Sequence, residues 1–426
     1  MRTLQNIKVI VGLLCVMALS GLVAEAISEP IHTETAWAAD AFVDSIGVNT
    51  HLAYQGTSYS NYVGIVKPRL IESGIRHIRD AFPFAAQLEY QQAILDLGSS
   101  GIHTLLVCQP NTNLIVADFP KILLSLTNAV EMIEGPNESD SIPFVYKGFK
   151  FPAGARAFQN DLYAVIKAQP ELKTLPVIMA SMGNPDNAIR LGTLFSADYA
   201  NTHCYTGGTM PGYRWNWFRD CALTNFVGPI MATECGYHNA VNQTDKLWIR
   251  GVSEKAAGNY ITRMLAEHFL RGVQRTYLYE LLDERPLPQY SEANFGLLRF
   301  NGSAKPAFTG VKNLISILSD SGPSFVPSTL DYSVNAEDIP VRHLLLQKRN
   351  GKFFLLLWLN TESFSLREKR DIQVEPRVTR LIFGKTIKRA RTFVPIAGLS
   401  PVAEFISKDE MLVQVPDHLV VLEIEP

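Results

Sequence analysis

Between residues 42 and 318 the chain alternates short apolar runs with stretches of helical spacing, eight times over, and few folds accommodate that pattern. A run of four to eight apolar residues closed by polar or Gly/Pro punctuation reads as a strand. Apolar residues at i, i+3 and i+4 read as a helix. The expected strands are 42–48, 75–78, 103–108, a fourth running through Val130, Met132 and Ile133 to end at Glu138, then 176–180, 199–202, 229–234 and 276–281. Helical spacing fills 62–73, 88–97, 153–168, 254–270 and 312–318. Eight strands alternating with helices call for a closed parallel sheet, so the expected class is α/β, a (β/α)8 TIM barrel over residues 40–322.

In such a barrel the chemistry sits where the strands end. Here those ends carry Asn49-Thr50-His51, Arg79-Asp80, Asn137-Glu138, His203-Cys204-Tyr205, Thr233-Glu234 and Tyr279-Glu280. Glu138 follows Gly135-Pro136, which stops the fourth strand and puts two polar side chains at its mouth. Glu234 closes the apolar run 229–232 in the same way. One glutamate after a strand is ordinarily a solvated loop residue. Two, on strands that face each other across a barrel, are the raw material for glycosidic bond cleavage, which needs a proton donor and a nucleophile or base. The charge of one carboxylate raises the pKa of the other, as the acid role requires.

The ordered set resembles that of clan A retaining glycoside hydrolases. The matching residues are Asn137-Glu138 after strand four, Glu234 after strand seven, His203-Cys204-Tyr205 after strand six and Arg79 at the end of strand two. The run 295–308, FGLLRFNGSAKPAF, is similar to the stretch before the last barrel helix in several such families. The resemblance implies that Glu138 is the acid/base, Glu234 the nucleophile, and that His203, Tyr205 and Arg79 support them. Tyr205 would touch the nucleophile. It also implies a β-linked poly- or oligosaccharide as substrate, with the family within the clan unassigned. One departure stands out: many clan members carry Trp at the end of strand eight, where this chain has Tyr279 followed by a third carboxylate, Glu280.

Sugar faces stack on aromatic rings, and the densest aromatic cluster is Tyr213-Arg214-Trp215-Asn216-Trp217-Phe218, expected in the loop after strand six. Trp215 and Trp217 are the candidate subsite wall; the plainer reading is a loop packing its own small core. Tyr279, Tyr54, Phe82 and Tyr237 are further stacking candidates. Asn137, His51 and His238 are candidates for sugar hydroxyls, the two histidines being equally suited to bracing loops. Glu134, within its strand, reads as a buried carboxylate paired to Arg79. No metal or cofactor is expected. Asn49-Thr50-His51 lacks the His-x-His of metal-dependent barrels, no C-x-x-C occurs, no G-x-S-x-G elbow is present, and Gly236 alone makes no phosphate loop. The rival from another class is a non-catalytic carbohydrate-binding or cell-envelope structural protein on the same barrel.

Beyond Gly322 helical spacing stops. A hairpin is expected from His343 to Trp358 around Asn350-Gly351, with a type I′ turn. Further short strands follow, so residues 323–426 are expected as an antiparallel β-sandwich. At the other end, Arg2 and Lys8 precede an apolar run over 9–22, and Ala24-Glu25-Ala26 is a small-x-small cleavage site. Residues 1–26 read as a secretory signal peptide, with export to the periplasm or medium and no stable membrane insertion after cleavage. An uncleaved anchor is the alternative, and Ala36-Trp37-Ala38 is a second site. Cys108, Cys204, Cys221 and Cys235 read as buried thiols or, for Cys204 with Cys221, a disulfide. A formal net charge of −2 gives no basis for a nucleic-acid partner. Oligomeric state is not legible.

Overall fold

The computed structural model describes residues 30–110, 115–126, 128–336 and 341–426. The signal-peptide reading of residues 1–26 lies outside them. Two short strands, β1 (His32–Thr35) and β2 (Trp37–Ala38), lead into helix α1 (Ala39–Asp44). The βα units follow: β3 (Ile46–Asn49) and α2 (Lys67–Ser73), β4 (His77–Ala81) and α3 (Leu88–Ser99), β5 (His103–Val107) and α4 (Phe119–Ser125), β6 (Val130–Glu134) and α5 (Ala153–Lys167). Then come β7 (Val177–Ile178) and α6 (Ala188–Leu191), β8 (Ala200–His203) and α7 (Trp215–Asn225), β9 (Ile230–Cys235) and α8 (Glu254–Leu270), and β10 (Val273–Leu278) and α9 (Pro306–Leu318).

Strands β3 to β10 form one eight-stranded sheet in the order β7-β6-β5-β4-β3-β10-β9-β8, every neighbouring pair parallel. A parallel bridge between Ile178 and Tyr199 spans the remaining gap, so the barrel is nearly closed. Its interior is filled by Leu105, Val107, Met132, Ile178, Met231 and Tyr277. Gly47 makes room for the Tyr277 ring: a Cβ there would stand 2.5 Å from it. Below them a polar plug closes the barrel. His77 lies 2.8 Å from Glu131 and 3.0 Å from Asp44, and Arg275 donates to Glu131 at 2.9 Å.

The first expected strand, 42–48, is corrected. Phe42 and Val43 belong to α1, and only Ile46–Asn49 is strand. Asp40 and Asp44 stand at helical spacing on one face while Ala39, Phe42 and Val43 are buried on the other, so the segment before Ser45 is an amphipathic helix. Helix α7 is likewise a helix where a loop was expected.

Past α9 come β11 (Thr329–Ala336), β12 (Val341–Gln347), β13 (Phe353–Leu359), the small pair β14 (Phe364–Ser365) and β15 (Arg370–Asp371), then β16 (Arg377–Phe393), β17 (Ala403–Val415) and β18 (Val420–Glu425). Apart from β14 and β15, these join β1 and β2 in a separate eight-stranded sheet, antiparallel except for the β2–β12 pair. The 17-residue β16 links its two parts, pairing with β11 through 379–383 and with β18 through 389–393. The period-2 alternation of β12 and β13 then buries both faces. Leu345, Phe353, Leu355, Leu357 and Leu359 enter the sheet's own core, while Leu344, Leu346, Phe354, Leu356 and Trp358 pack on the barrel. Trp358 Nε1 donates to Glu267 of α8 at 3.1 Å. The hairpin at Asn350-Gly351 forms, but not with a type I′ turn. Gly351 has φ +84° and Asn350 does not have positive φ; the Gly351 N–H bonds Lys348 O at 2.9 Å, a type I turn with the left-handed residue after it.

Candidate functional site

The strand ends build the site from the barrel axis upward, around Arg79 of β4. Its Nε and Nη2 donate to Glu134 at 2.6 and 2.9 Å, Nη1 to Glu234 at 2.6 Å and to Asn49 at 2.8 Å, and Nη2 to Asn137 at 2.7 Å. Burial alone would lower the guanidinium pKa, but Glu134 and Glu234 more than offset it and the net direction is upward. Glu134 is completely buried and also accepts from Asn201 at 3.0 Å. It is the structural carboxylate that its place inside the strand suggests. Asn137 is turned inward to Arg79 and Ser181, so its side-chain oxygen is already engaged.

Glu234, the penultimate residue of β9, is clamped on both oxygens: Arg79 holds Oε1, and Tyr205 OH donates to Oε2 at 3.0 Å. Glu138 lies four residues beyond β6, with φ +43° in the left-handed region, and its N–H donates to Ser181 Oγ at 3.1 Å. His203 stands between the two glutamates, its Nδ1 2.8 Å from Glu138 Oε1 and 3.5 Å from Glu234 Oε2. One oxygen of each carboxylate and a ring nitrogen of His203 lie within 4.8 Å of one another.

The His203 tautomer follows from its other partner. Thr233 Oγ1 has a single proton, and its shortest acceptor is Asn201 Oδ1 at 2.7 Å. His203 Nε2, 3.1 Å from Thr233 Oγ1, is therefore the donor there, leaving Nδ1 to share a proton with Glu138. Burial pulls the His203 pKa down; Glu234 and the bond to Glu138 outweigh it, and the net shift is upward.

These groups line a cavity of about 810 Å³ at the mouth of the barrel. His51, Tyr54, Trp217 and Tyr279 line it as well. Burial holds His51 down at about 4, so its ring is neutral; it stacks on Tyr54 with centroids 4.4 Å apart. Tyr279 is part of the wall, edge-on to His51 and Phe295. Glu280, the carboxylate that follows Tyr279, is not part of the lining and lies behind His51, its Oε2 3.3 Å from His51 Nε2. It is completely buried and accepts from Tyr59 OH at 2.9 Å; burial first, then Glu284, push its carboxyl well up.

Trp215 is a correction. It begins α7, is 5% exposed and packs in the core with its ring 5.4 Å from His268, because the first turn of a helix lying on the barrel must bury one face. Trp217, two residues on, points the other way into the cavity and donates to Asp186 at 2.8 Å. His238 is buried and braces its loop through Ile249 O at 3.1 Å. Tyr237 is buried too, bonded to Thr209 O. Phe82 lines a smaller adjoining cavity. The Cys204–Cys221 disulfide is not formed. All four described cysteines are free, and Cys204 instead stands 3.8 Å from His268 Nε2.

Sequence reasoning missed Ser181, Trp248 and Glu292. Ser181 and Trp248 sit in irregular segments with no motif around them. Glu292 stands in a short 3-10 turn, Ser291–Asn294, and lines the cavity. Burial, then Glu234, Glu284 and Glu138, raise its pKa from 4.5 to about 7. The ionised form is thus penalised in the fold: the penalty is absent below about pH 4.5 and complete above about pH 7. Glu292→Gln is expected to gain on the order of 2 kcal/mol of stability at pH 8 and nothing at pH 4. Urea unfolding at the two pH values measures this, and an equal gain at both would refute it.

No protein-family model and no curated protein matches the chain by sequence. Solved structures do match in fold. A family 39 glycoside hydrolase from the gut symbiont Bacteroides cellulosilyticus WH2 aligns with TM-score 0.60 at 14% identity, over 91% of this chain and 82% of that one. A glucosidase from Croceicoccus marinus aligns with TM-score 0.57 at 9% identity, over 92% and 97%. The chain thus has the fold of TIM-barrel glycoside hydrolases carrying an additional β domain, and at these identities the likeness extends to the fold and not to a family.

Proposed function

We propose that this protein is a glycoside hydrolase that cleaves β-linked poly- or oligosaccharide with retention of configuration. The observation that carries the reading is the approach of Glu138 and Glu234, oxygen to oxygen within 4.8 Å across a cavity at the barrel mouth. Carboxyls about 5 Å apart suit a covalent intermediate, and those roughly 6.5–9.5 Å apart leave room for the water of an inverting enzyme.

In this reading Glu138 gives its proton to the glycosidic oxygen as that bond breaks, and a Glu234 oxygen attacks the anomeric carbon. Arg79 and Tyr205 donate to the two oxygens of Glu234 and hold it aimed. The leaving alcohol departs. Glu138, now a carboxylate beside His203, takes a proton from water, whose oxygen attacks the anomeric carbon and frees Glu234. Two inversions retain the configuration. Asn137, His51, Tyr279 and Trp217 line the site as sugar contacts. We include export in the proposal, on the N-terminal charge and apolar run; among the described residues no helix is long and apolar enough to cross a membrane.

Proton NMR of the first product, read before mutarotation, is expected to show the substrate's anomeric configuration. An inverted product would exclude the covalent route. A protein that binds oligosaccharide and turns none over would instead fit a carbohydrate-binding role.

A further inference from the structure

Glu292 is absent from the mechanism above, yet it is the third carboxyl lining the same cavity as Glu138 and Glu234. It has no hydrogen-bond or ion-pair partner among the described residues, and the charges that act on it most, Glu234, Glu284, Glu138 and Asp245, are all carboxylates. Partial burial of an unpaired carboxyl among like charges costs stability, and such groups concentrate at binding sites.

The surrounding structure holds Glu292 in place. Asp245, from the loop after β9, accepts from Ser291 N at 2.6 Å and Ser291 Oγ at 2.8 Å, clasping the residue next to Glu292. On its other side Asn294 donates to Leu287 O and Tyr290 O, each at 2.7 Å. The downstream strap is tied by Gly296 N to Asp283 at 2.9 Å, and Asp283 is paired to Lys305 at 2.7 Å. The carboxyl is therefore presented on a loop pinned on both sides of it.

The charges of the cavity are lopsided. Among the described residues three carboxyls line it, and Arg214 is the one lining Lys or Arg. The Arg214 guanidinium lies over the Tyr213 and Trp217 rings, 5.4 and 5.9 Å from their centroids. Arg79 is already engaged by Glu134 and Glu234, and His51 is neutral. An anionic sugar would meet repulsion from these carboxyls with Arg214 to offset part of it, and a neutral sugar would offer Glu292 no counter-charge. A protonated amine satisfies it with a charge-assisted hydrogen bond of about 2.7–2.9 Å.

We propose that Glu292 is a specificity residue that binds the ammonium group of an amino sugar, so that the preferred substrates are β-linked oligosaccharides carrying free amines. This rests on the glycosidase reading, and the test separates the two. The probes are β-linked oligomers of 2-amino-2-deoxyglucose, the same oligomers fully N-acetylated, glucose oligomers of the same linkage, and oligomers of a uronic acid. Wild type is expected to favour the amine over the neutral oligomers by about tenfold or more in kcat/KM and to reject the uronate. Glu292→Gln, a near-isosteric change whose folding is checked by circular dichroism, is expected to collapse that ratio toward one. Binding to Glu234→Gln protein by calorimetry gives a second readout: the amine oligomer binds, and adding Glu292→Gln weakens it about tenfold. Cleavage of neutral oligomers with no amine preference would overturn this inference and leave the glycosidase reading standing. Amine binding that depends on Glu292, without turnover of any glycoside, would do the reverse.

Discussion

Glu234→Ala is expected to reduce turnover of every glycoside by about 10⁵-fold or more, while Glu138→Ala is expected to discriminate among leaving groups. Glu234 is the proposed nucleophile, and the hydroxyl that touches it cannot take over that role. Tyr205, the nearest hydroxyl, donates to it, and burial, then Glu234, push the Tyr205 phenol pKa far above its ordinary value. Glu138 is asked only for a proton, and general acid catalysis is worth about 10²- to 10⁴-fold. An aryl glycoside with an acidic phenol leaves without that proton. Glu138→Ala should thus lose turnover on oligosaccharide and retain the first step on the activated substrate. Azide, small enough for the space left by the side chain, should then attack the glycosyl-enzyme in place of activated water, restoring part of the rate and giving a β-glycosyl azide. Equal damage by both mutations on the activated substrate would refute the assignment of roles.

How much of this was legible in the sequence depends on the range of the interaction involved. Periodicity is local, so α8 (Glu254–Leu270) coincides with its expected span and the βα alternation reports the barrel. The paired glutamates could be found because a barrel puts strand ends on one face, which turns chain order into spatial proximity. Failures came where distant contacts decide. Trp215 and Trp217 look equivalent in sequence, and only the packing of α7 sends one into the core and the other into the cavity. The strands β1 and β2 carry almost no strand signal in isolation; they are recruited by β11 and β12, some 300 residues later in the chain. Glu292 was invisible for the same reason, since its position depends on Asp245 in a different loop.

Arg79→Met is expected to be the most destabilising single change at the site. The side-chain volume is roughly kept, so the loss is electrostatic. Glu134 is completely buried, and two of the hydrogen bonds that satisfy it come from Arg79; Glu234 and the Asn137 oxygen lose a donor at the same time. Removing one partner of a buried ion pair costs about 3–5 kcal/mol, because the remaining charge is left uncompensated in a medium that solvates it poorly. The same logic predicts a rescue. With Glu134→Gln added, the stranded charge is gone, Asn201 and Thr233 still bracket the amide, and a large part of the loss should return. Activity should not return with it, since Glu234 would still lack the cation that holds Oε1. Urea unfolding of the single and double mutants, with turnover measured alongside, separates the two contributions of this guanidinium. If the double mutant were no more stable than Arg79→Met, the destabilisation would lie in packing and not in the buried carboxylate.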